Sequence, residues 1–397
     1  TGTMPPTVAL QKMVTATQNF PLLAVPFFIL AGNLMNATGI TERLVKFARL
    51  LTGWMAGGLA QVSIALSFMM GGISGSAVAD ASMEARLLGP SMLEHGYSKG
   101  STAAILAFGS IITATIPPSI GLILFGFINE VSIGRLFLAG VVPGALLTIV
   151  LMATTWVVAK RRGYGADLPQ VPSARELGRS FLDSIWALAF PVILIVGFRF
   201  GLFTATEAAG VGALGAVVLA WLRRSLSVGD FWRILRQTVE VTCSLFAIIL
   251  GAAFFAEFIN LSGVHEGLRD LVQNSGLSPP VVIAVIILIY VLLGCVLESL
   301  SIILLTIPIF FPVVLALGYD PVWFGILVVV VTEIGLITPP IGVNLFIIRA
   351  VFPDISMRTV ISGVLPFIVA ALFRVILIAA LPVLSLCLPP LLFRYSG

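Results

Sequence analysis

The sequence has little charge and few of the side chains that build soluble enzymes and metal centres. Only 10% of its 397 residues are charged, 59% are hydrophobic and the mean hydropathy is +1.11, a composition that fits no soluble globular class. Cys243, Cys295 and Cys387 lie in apolar runs without CxxC spacing, and the two histidines lie in polar connections. We therefore expect no disulfide framework, no cofactor and no metal site built on cysteine or histidine.

Two missing motifs narrow the function further. The sequence has no GxxxxGK[ST] phosphate loop and no soluble nucleotide domain, which disfavours an ATP-driven pump. No histidine or lysine lies at membrane depth beside a serine, as an intramembrane serine hydrolase would require. We expect a protein that is not an enzyme, has no nucleic-acid partner, and takes its energy from a gradient or from a partner protein.

Long apolar runs dominate what is present, for example "PPVVIAVIILIYVLLGCVL" and "GVGALGAVVLAWL". A helix of about 20 residues crosses the roughly 30 Å hydrocarbon core of a bilayer. Membrane strands would alternate apolar and polar residues, whereas these runs are apolar on every side. The sequence predicts an all-α polytopic membrane protein with about ten to twelve crossings.

The basic side chains gather in two polar connections. One carries Lys160, Arg161, Arg162, Arg175 and Arg179, and the other carries Arg223, Arg224, Arg233 and Arg236. Lys and Arg concentrate in cytoplasmic loops, so both connections are expected on the cytoplasmic side, with two spans between them.

The chain contains an internal repeat. Pro117 and Pro118 recur as Pro339 and Pro340 at a shift of 222 residues, and other glycines, prolines and acids recur in order at shifts of 222 to 224. We divide the chain into an N-terminal segment (1–19), a first repeat with one hairpin (20–157), a cytoplasmic connector with scaffold helices (158–242), a second repeat with another hairpin (243–385) and a C-terminal tail (386–397).

Charge predicts that the two repeats have opposite orientations. The first is followed by the basic run 160–162, whereas the second is preceded by the arginines of the second connection. The first repeat then starts outside and the second starts inside. This inverted topology is typical of secondary transporters.

Each repeat is interrupted twice, at "GGISGSAVAD" and "TATIPPSIG" in the first and at "GCVLESLS" and "GLITPPIGVN" in the second. A double proline removes two amide donors, so we expect the carbonyls of Thr113, Ala114, Gly335 and Leu336 to be free of helix bonding. With nearby hydroxyls, these oxygens offer a cage suited to a hard cation. The alternative is small-residue helix packing with kink prolines.

Four carboxylates, Asp80, Glu207, Glu298 and Glu333, lie in or beside apolar segments. An unpaired charge there costs at least about 2.5–3.5 kcal/mol, so each needs a partner. The candidates are a bound cation, an arginine such as Arg86 or Arg349, or the amides at the start of a half-helix. For Asp80 and Glu298, direct cation binding and structural pairing both stay open.

An organic anion would be bound differently. Half-helix N-termini and short polar donors favour a carboxylate, and Ser119 and Asn344 follow the two double prolines at such positions. An arginine clamp is a further possibility, with Arg86 and Arg349 as the candidates.

The motifs "FPLLAVPFFILAGNLMNATGITERLV", "GGISGSAVAD", "IPPSIG", "LFLAGVVPG" and "LGYDPVWFGILVVVVTEIGLITPPIGVNLF" resemble the large membrane subunit of tripartite ATP-independent periplasmic (TRAP) transporters. The resemblance implies a sodium-driven importer of carboxylate-bearing solutes in a bacterial or archaeal inner membrane. It also implies a small four-helix membrane subunit and a periplasmic solute-binding protein as partners. The implied fold has two re-entrant helical hairpins from opposite sides, an elevator-type transport domain and a scaffold domain.

The candidate residues follow from the interrupted segments and this resemblance. The sodium-binding candidates are Ser74, Ser76, Asp80, Thr113, Thr115, Glu298, Ser299, Ser301, Gly335 and Thr338. The substrate-binding candidates are Ser119, Asn344, Arg86 and Arg349, and the structural breaks are Pro117, Pro118, Pro339 and Pro340.

Two departures from the family pattern stand out: no hydrophobic helix precedes "FPLLAVPFF", and Glu84 and Arg86 occupy positions where small apolar residues are expected. An alternative function is a sodium–dicarboxylate or citrate symporter that needs no binding protein. Sialic acid, a C4-dicarboxylate and other sugar acids all remain open as the solute.

Overall fold

A computed structural model describes residues 11, 14–15, 18, 20–168, 170–222, 226–274 and 276–392. Within these residues all regular secondary structure is helical, which confirms the all-α class. Seven helices of this described part are long and apolar enough to cross a membrane, and three shorter apolar helices accompany them.

The first unit begins with a 3₁₀ turn, Phe20–Leu23, and continues through eight helices. These are α1 (Ala24–Ala37), α2 (Ile40–Thr52), α3 (Gly58–Gly71), α4 (Ala77–Leu87), α5 (Gly89–Glu94), α6 (Lys99–Ser110), α7 (Ile120–Ile128) and α8 (Ile133–Arg162).

Two helices, α9 (Ala174–Arg199) and α10 (Ala205–Leu222), connect the first unit to the second. The second unit comprises α11 (Val228–Ser262), α12 (Val264–Asn274), α13 (Pro279–Gly294), α14 (Ser299–Ala316), α15 (Pro321–Gly335), α16 (Val343–Val351) and α17 (Met357–Ala380), and short helices α18 (Val383–Leu386) and α19 (Leu388–Leu392) follow.

The two units have the same order of elements. Each has a leading helix, a short amphipathic helix, a hairpin, a helix broken into two halves, and a long helix with an internal proline, Pro143 in α8 and Pro366 in α17. The predicted boundaries at 157/158 and 242/243 both fall within helices, because α8 continues to Arg162 and α11 spans residues 242 and 243. The division of the chain into domains therefore stays a prediction.

Equivalent glycines let both long helices approach the rest of the core. A Cβ on Gly140 of α8 would lie 2.6 Å from the Thr115 carbonyl oxygen, and one on Gly363 of α17 would lie 2.1 Å from the Gly100 carbonyl oxygen. No side chain fits at such distances. Because Gly100 lies in α6, the last long helix of the second unit packs on the first unit.

The loop after α8 contacts two turns of the first unit through hydrogen bonds, an ion pair and a stacked ring pair. The amide of Gly57 donates to the carbonyl oxygens of Tyr164 and Gly165, and Arg49 pairs with Asp167 at 2.8 Å. The ring of Tyr164 stacks on that of Tyr97 with centroids 4.4 Å apart. These contacts fix the end of α8 against the α2–α3 and α5–α6 turns.

Tyr164 should titrate at an unusually low pH. Partial burial alone would raise the pKa of Tyr164, but hydrogen bonds with Ser101 and Ser98 and the nearby Arg162 guanidinium lower it to about 8. The stabilisation from its ionised form is therefore complete above the ordinary pKa of 10.0 and is lost as the pH falls through about 8.

Ultraviolet absorption of tyrosinate during a pH titration tests this expectation. Tyr164→Phe should remove a transition near pH 8, whereas Tyr319→Phe should leave it, because burial raises the pKa of Tyr319. A transition that survives in Tyr164→Phe would contradict the assignment.

Candidate functional site

Equivalent residues cap the second helix of each hairpin. The first hairpin comprises α3, residues 72–76 and α4, and the second comprises α13, residues 295–298 and α14. The Ser76 hydroxyl accepts from the Ala79 amide at 3.4 Å, and the Glu298 carboxylate accepts from the Leu300 amide at 2.9 Å. Both caps have extended backbone, which ends the break and starts the new helix.

The charge of Glu298 is thus met by the start of a half-helix. Its carboxylate also accepts from the Ser301 amide at 3.3 Å, and the Ser299 hydroxyl lies 3.3 Å from its other oxygen. An acid at a helix N-terminus gains about 0.3–1 kcal/mol at the surface and up to about 2 kcal/mol when partly buried. Of the partners open for Glu298, the structure supplies the half-helix amides.

The carbonyls before the two double prolines differ in whether they accept a hydrogen bond from another part of the chain. None of the hydrogen bonds in the described residues ends on the carbonyl oxygens of Thr113 and Ala114, as expected. The carbonyls of Gly335 and Leu336 also receive no α-helical bond, as expected, but they accept from the amides of Thr338 and Asn344, both at 3.0 Å. The chain after Gly335 turns back tightly enough for later amides to replace the missing helix bonds.

In each unit the hairpin break touches the broken helix at a glycine. Gly75 has a φ of +60°, and a Cβ on it would lie 2.6 Å from the Pro118 carbonyl oxygen. In the second unit a Cβ on Gly294 would lie 2.7 Å from the Cα of Gly335. The two interrupted segments of each unit therefore form one contiguous non-helical region.

An oxygen-rich cluster surrounds Asp80 in the first unit. Asp80 is 1% exposed, and the hydroxyls of Ser74 and Thr113 face its carboxylate. Three buried oxygens of the first unit, Asp80 Oδ2, Ser74 Oγ and Thr115 Oγ1, have no hydrogen-bond partner among the described residues. The structure therefore brings three predicted residues together at the first hairpin: Ser74, Asp80 and Thr113.

Glu84 lies one turn beyond Asp80 on the same helix and is fully buried. Its two carboxylate oxygens accept from the hydroxyls of Ser63 and Ser67, each at 2.5 Å. Arg86, two residues further on, is exposed. The unusual Glu84 and Arg86 therefore lie on different faces of α4, and the hydroxyls of α3 hold Glu84.

A small cavity lies between the two units. Its volume is about 20 Å³, enough for about one water-sized occupant. Ser76 and Ser119 line it from the first unit, and Glu298, Ser299 and Glu333 line it from the second. The tips of both hairpins therefore meet at one point.

Glu333 faces a buried arginine. Glu333 is 3% exposed and Arg374 of α17 is fully buried, and their charges attract each other. Arg374 Nη2 donates to the Val330 carbonyl at 3.4 Å. Within the described part of the chain, Arg374 Nε and Nη1 and Glu333 Oε2 have no hydrogen-bond partner. The attraction of Arg374 partly offsets the buried negative charge of Glu333, without an ion pair between them among the described residues.

Of the two polar residues after the double prolines, one caps its own helix and the other joins the units. The Ser119 hydroxyl caps α7 by accepting from the Leu122 amide at 3.4 Å. Asn344 Nδ2 donates to the Ser110 hydroxyl at 3.1 Å, a bond between the units. Asn344 Oδ1 is buried and has no hydrogen-bond partner among the residues that the structure describes.

A larger cleft of about 500 Å³ adjoins the hairpin tips, within the range of small-molecule sites. Helices α1 and α11 form one wall, and the hairpins form the other. Its polar lining comprises Asn33, Asn36, Ser74, Ser76, Glu240, Ser244, Glu298 and Ser301.

Several predicted residues lie elsewhere. Arg86 and Arg349 are exposed and line neither the cavity nor the cleft. Glu207 is exposed and accepts from the Thr204 amide at 2.7 Å at the start of α10. Thr338 donates to the Ile334 carbonyl at 2.7 Å, so its hydroxyl closes the turn of the broken helix.

Sequence reasoning missed Asn33, Asn36, Glu240 and Arg374. Asn33 and Asn36 lie one turn apart in the apolar helix α1, and Arg374 interrupts the run "FIVAALFRVILIAAL". A polar residue within an apolar run indicates a polar partner or site inside the membrane, and this signal was present in the sequence. Glu240 gave no comparable signal, because it follows a basic connection and pairs with Arg236 at 2.8 Å.

Comparisons with known proteins identify similar chains. Residues 1–384 match the profile of a family described as the tripartite ATP-independent periplasmic transporter, DctM component. The sialic acid TRAP transporter large permease protein SiaM of Vibrio cholerae is 38% identical over 98% of this chain and 90% of its own. The C4-dicarboxylate TRAP transporter large permease protein DctM of Pseudomonas aeruginosa is 35% identical, covering 95% of this chain and 88% of its own.

A solved structure shares the fold. The crystal structure of the Alcanivorax borkumensis YdaH transporter, described as having an unusual topology, superposes with a TM-score of 0.67. It covers 95% of this chain and 88% of its own at 15% identity, so the likeness concerns the fold alone.

Arg374→Met should destabilise the protein strongly, because it leaves Glu333 as an uncompensated buried charge. We expect a loss of about 3–5 kcal/mol in the free energy of unfolding, measured by denaturation in detergent. The double variant Glu333→Gln/Arg374→Met should recover most of this loss.

Arg358→Met is the matched control, since Arg358 is exposed on the same helix and its loss should cost no more than about 0.5 kcal/mol. Equal effects at Arg358 and Arg374 would refute the pairing with Glu333.

Proposed function

Because the chain belongs to the DctM-component family of tripartite ATP-independent periplasmic transporters, we propose that it imports a carboxylate-bearing solute driven by sodium. It acts as a transporter permease rather than an enzyme. Its location is the inner membrane of a bacterium or archaeon, and its partners are a small four-helix membrane subunit and a periplasmic solute-binding protein.

The meeting of the interrupted segments from both units carries the proposal. Unpartnered oxygens of Asp80, Ser74 and Thr115 are buried in the first unit, and the cavity between the units has room for about one water-sized occupant. Oxygen donors of this kind suit a hard cation. These features support sodium binding at the first hairpin.

Glu298 and Ser301 support a second place for sodium or substrate at the tip of the second hairpin. There the carboxylate already accepts from two amides, so a cation would share an oxygen that is fixed in direction. Because both Ser76 and Glu298 line the small cavity and the large cleft, an ion there would lie next to the solute.

The cleft supports an anionic solute of small size. The N-termini of α4 and α14 lie at its edge, and a helix N-terminus favours negative charge. Asn33 and Asn36 add amide donors from α1. The relatives are named for sialic acid and for C4-dicarboxylates, which share the carboxylate group, so we propose an organic acid or sugar acid.

Transport would follow an elevator mechanism. The hairpins and broken helices form one body, and α1 and α11 form the facing wall, tied together by a bond of 3.1 Å from Asn33 to Thr238. Sliding of one body against the other would expose the cleft to either side in turn. Each sodium ion entering gains about 2.3 kcal/mol per 100 mV, which offsets the entry of an anion.

Sodium should stabilise the purified protein against heat when it replaces potassium at constant ionic strength. At a hundred times its dissociation constant, a ligand adds about 2.7 kcal/mol to the free energy of unfolding. Asp80→Asn should abolish the sodium-specific shift, while Asp354→Asn, which alters an exposed aspartate, should retain it. A shift of equal size in both variants would exclude Asp80 as a ligand.

Uptake into proteoliposomes separates the proposal from a symporter that works alone. With a sodium gradient, uptake of an organic acid should require the periplasmic binding protein, and Asp80→Ala and Glu298→Ala should each abolish or strongly reduce it. Full uptake without the binding protein would favour the sodium–dicarboxylate or citrate type. Normal uptake in both variants would remove these carboxylates from the mechanism.

A further inference from the structure

A groove lies where α17 packs against α8, at the basic end of α8. Its volume is about 450 Å³. Ala153, Val157 and Val158 of α8 and Pro366 of α17 form its apolar surface, and Arg161 and Arg162 lie at one end. The groove therefore has a charged end and an apolar end.

The length of α8 sets the depth of this groove in the membrane. Its 30 residues extend about 45 Å at roughly 1.5 Å per residue, longer than the roughly 30 Å hydrocarbon core. The last turn therefore emerges at the polar boundary, and its basic run marks the cytoplasmic side. Arg161 then lies at headgroup level, with Ala153 and Val157 deeper.

Aromatic side chains mark the same boundary. Trp156 is 41% exposed, and the Lys160 ammonium lies 4.2 Å from the centre of its ring. Tryptophan and lysine favour the membrane–water boundary. The position of the groove thus follows from two independent features of α8.

The charge at the groove is available to a ligand. Arg161 is exposed and forms no ion pair among the described residues. Arg162 donates to the Ser101 and Ser98 hydroxyls, which anchor its guanidinium without neutralising its charge. Two positive charges therefore stand beside an apolar channel that opens to the membrane.

We propose that this groove binds an anionic phospholipid of the cytoplasmic leaflet. The phosphate lies between Arg161 and Arg162, and an acyl chain runs over Ala153, Val157 and Pro366. Basic pockets between membrane helices on the cytoplasmic side suit anionic headgroups. Because the groove joins the long helices of both units, the lipid clamps α8 to α17, and this holds whatever solute the protein carries.

The test uses the full chain, with any membrane subunit that co-purifies, after removal of lipid in detergent. Binding of dioleoylphosphatidylglycerol, dioleoylphosphatidylcholine and inorganic phosphate is titrated by native mass spectrometry. Phosphatidylglycerol should bind tightest. Arg161→Gln should weaken the binding of phosphatidylglycerol about fivefold, since one basic side chain near an anionic surface contributes about 1 kcal/mol. Arg175→Gln should leave this binding unchanged.

A second variant probes the apolar end without altering charge. Ala153 is exposed to the groove, so Ala153→Phe should block the acyl chain and weaken the binding of phosphatidylglycerol. The melting temperature of the lipid-free protein should stay unchanged. Equal losses of phosphatidylglycerol binding in Arg161→Gln and Arg175→Gln would overturn the proposal, because the lipid would then be held by general electrostatic attraction to basic residues. Binding of inorganic phosphate as tight as that of phosphatidylglycerol would also overturn the proposal. So would a cross-link between residue 153 and a co-purifying subunit, because that subunit would then occupy the groove.

Discussion

Backbone groups that leave a helix cannot face lipid, and this constraint organises the whole fold. Each unit has two interrupted segments, and within each unit these two segments are placed against each other. In the first unit Gly75 lies against Pro118, and in the second Gly294 lies against Gly335. The bilayer thus forces this non-helical backbone to be buried within the protein, as in secondary transporters that bind their ions and solutes at broken helices.

Three carboxylates at this centre are accommodated in three physical ways. Asp80 faces hydroxyls and keeps an unpartnered oxygen, Glu298 caps a half-helix, and Glu333 faces Arg374. Asp80 and Glu333 each keep one buried oxygen without a hydrogen-bond partner among the described residues, but only Glu333 faces an arginine.

The all-helical class and the interrupted segments were predictable, because prolines and glycines within apolar runs report directly on backbone geometry. The lack of α-helical bonding at the four carbonyls before the double prolines was predictable as well. The later amides that bond to Gly335 and Leu336 were not, because turn closure depends on dihedral angles that proline alone does not set. Arg374 and the cleft residues Asn33 and Asn36 depend on which faces of distant helices meet, and a single sequence contains no such pairing.

The bond between Asn344 and Ser110 has a consequence for how the protein is made. Its partners are 234 residues apart, so at 5–20 residues per second the first unit waits roughly 10 to 50 seconds for the segment that completes it. During that interval Ser110 and the neighbouring free carbonyls lie in the membrane without the second unit. The polar centre of the protein is therefore complete only after the second broken helix has been synthesised and packed against the first unit.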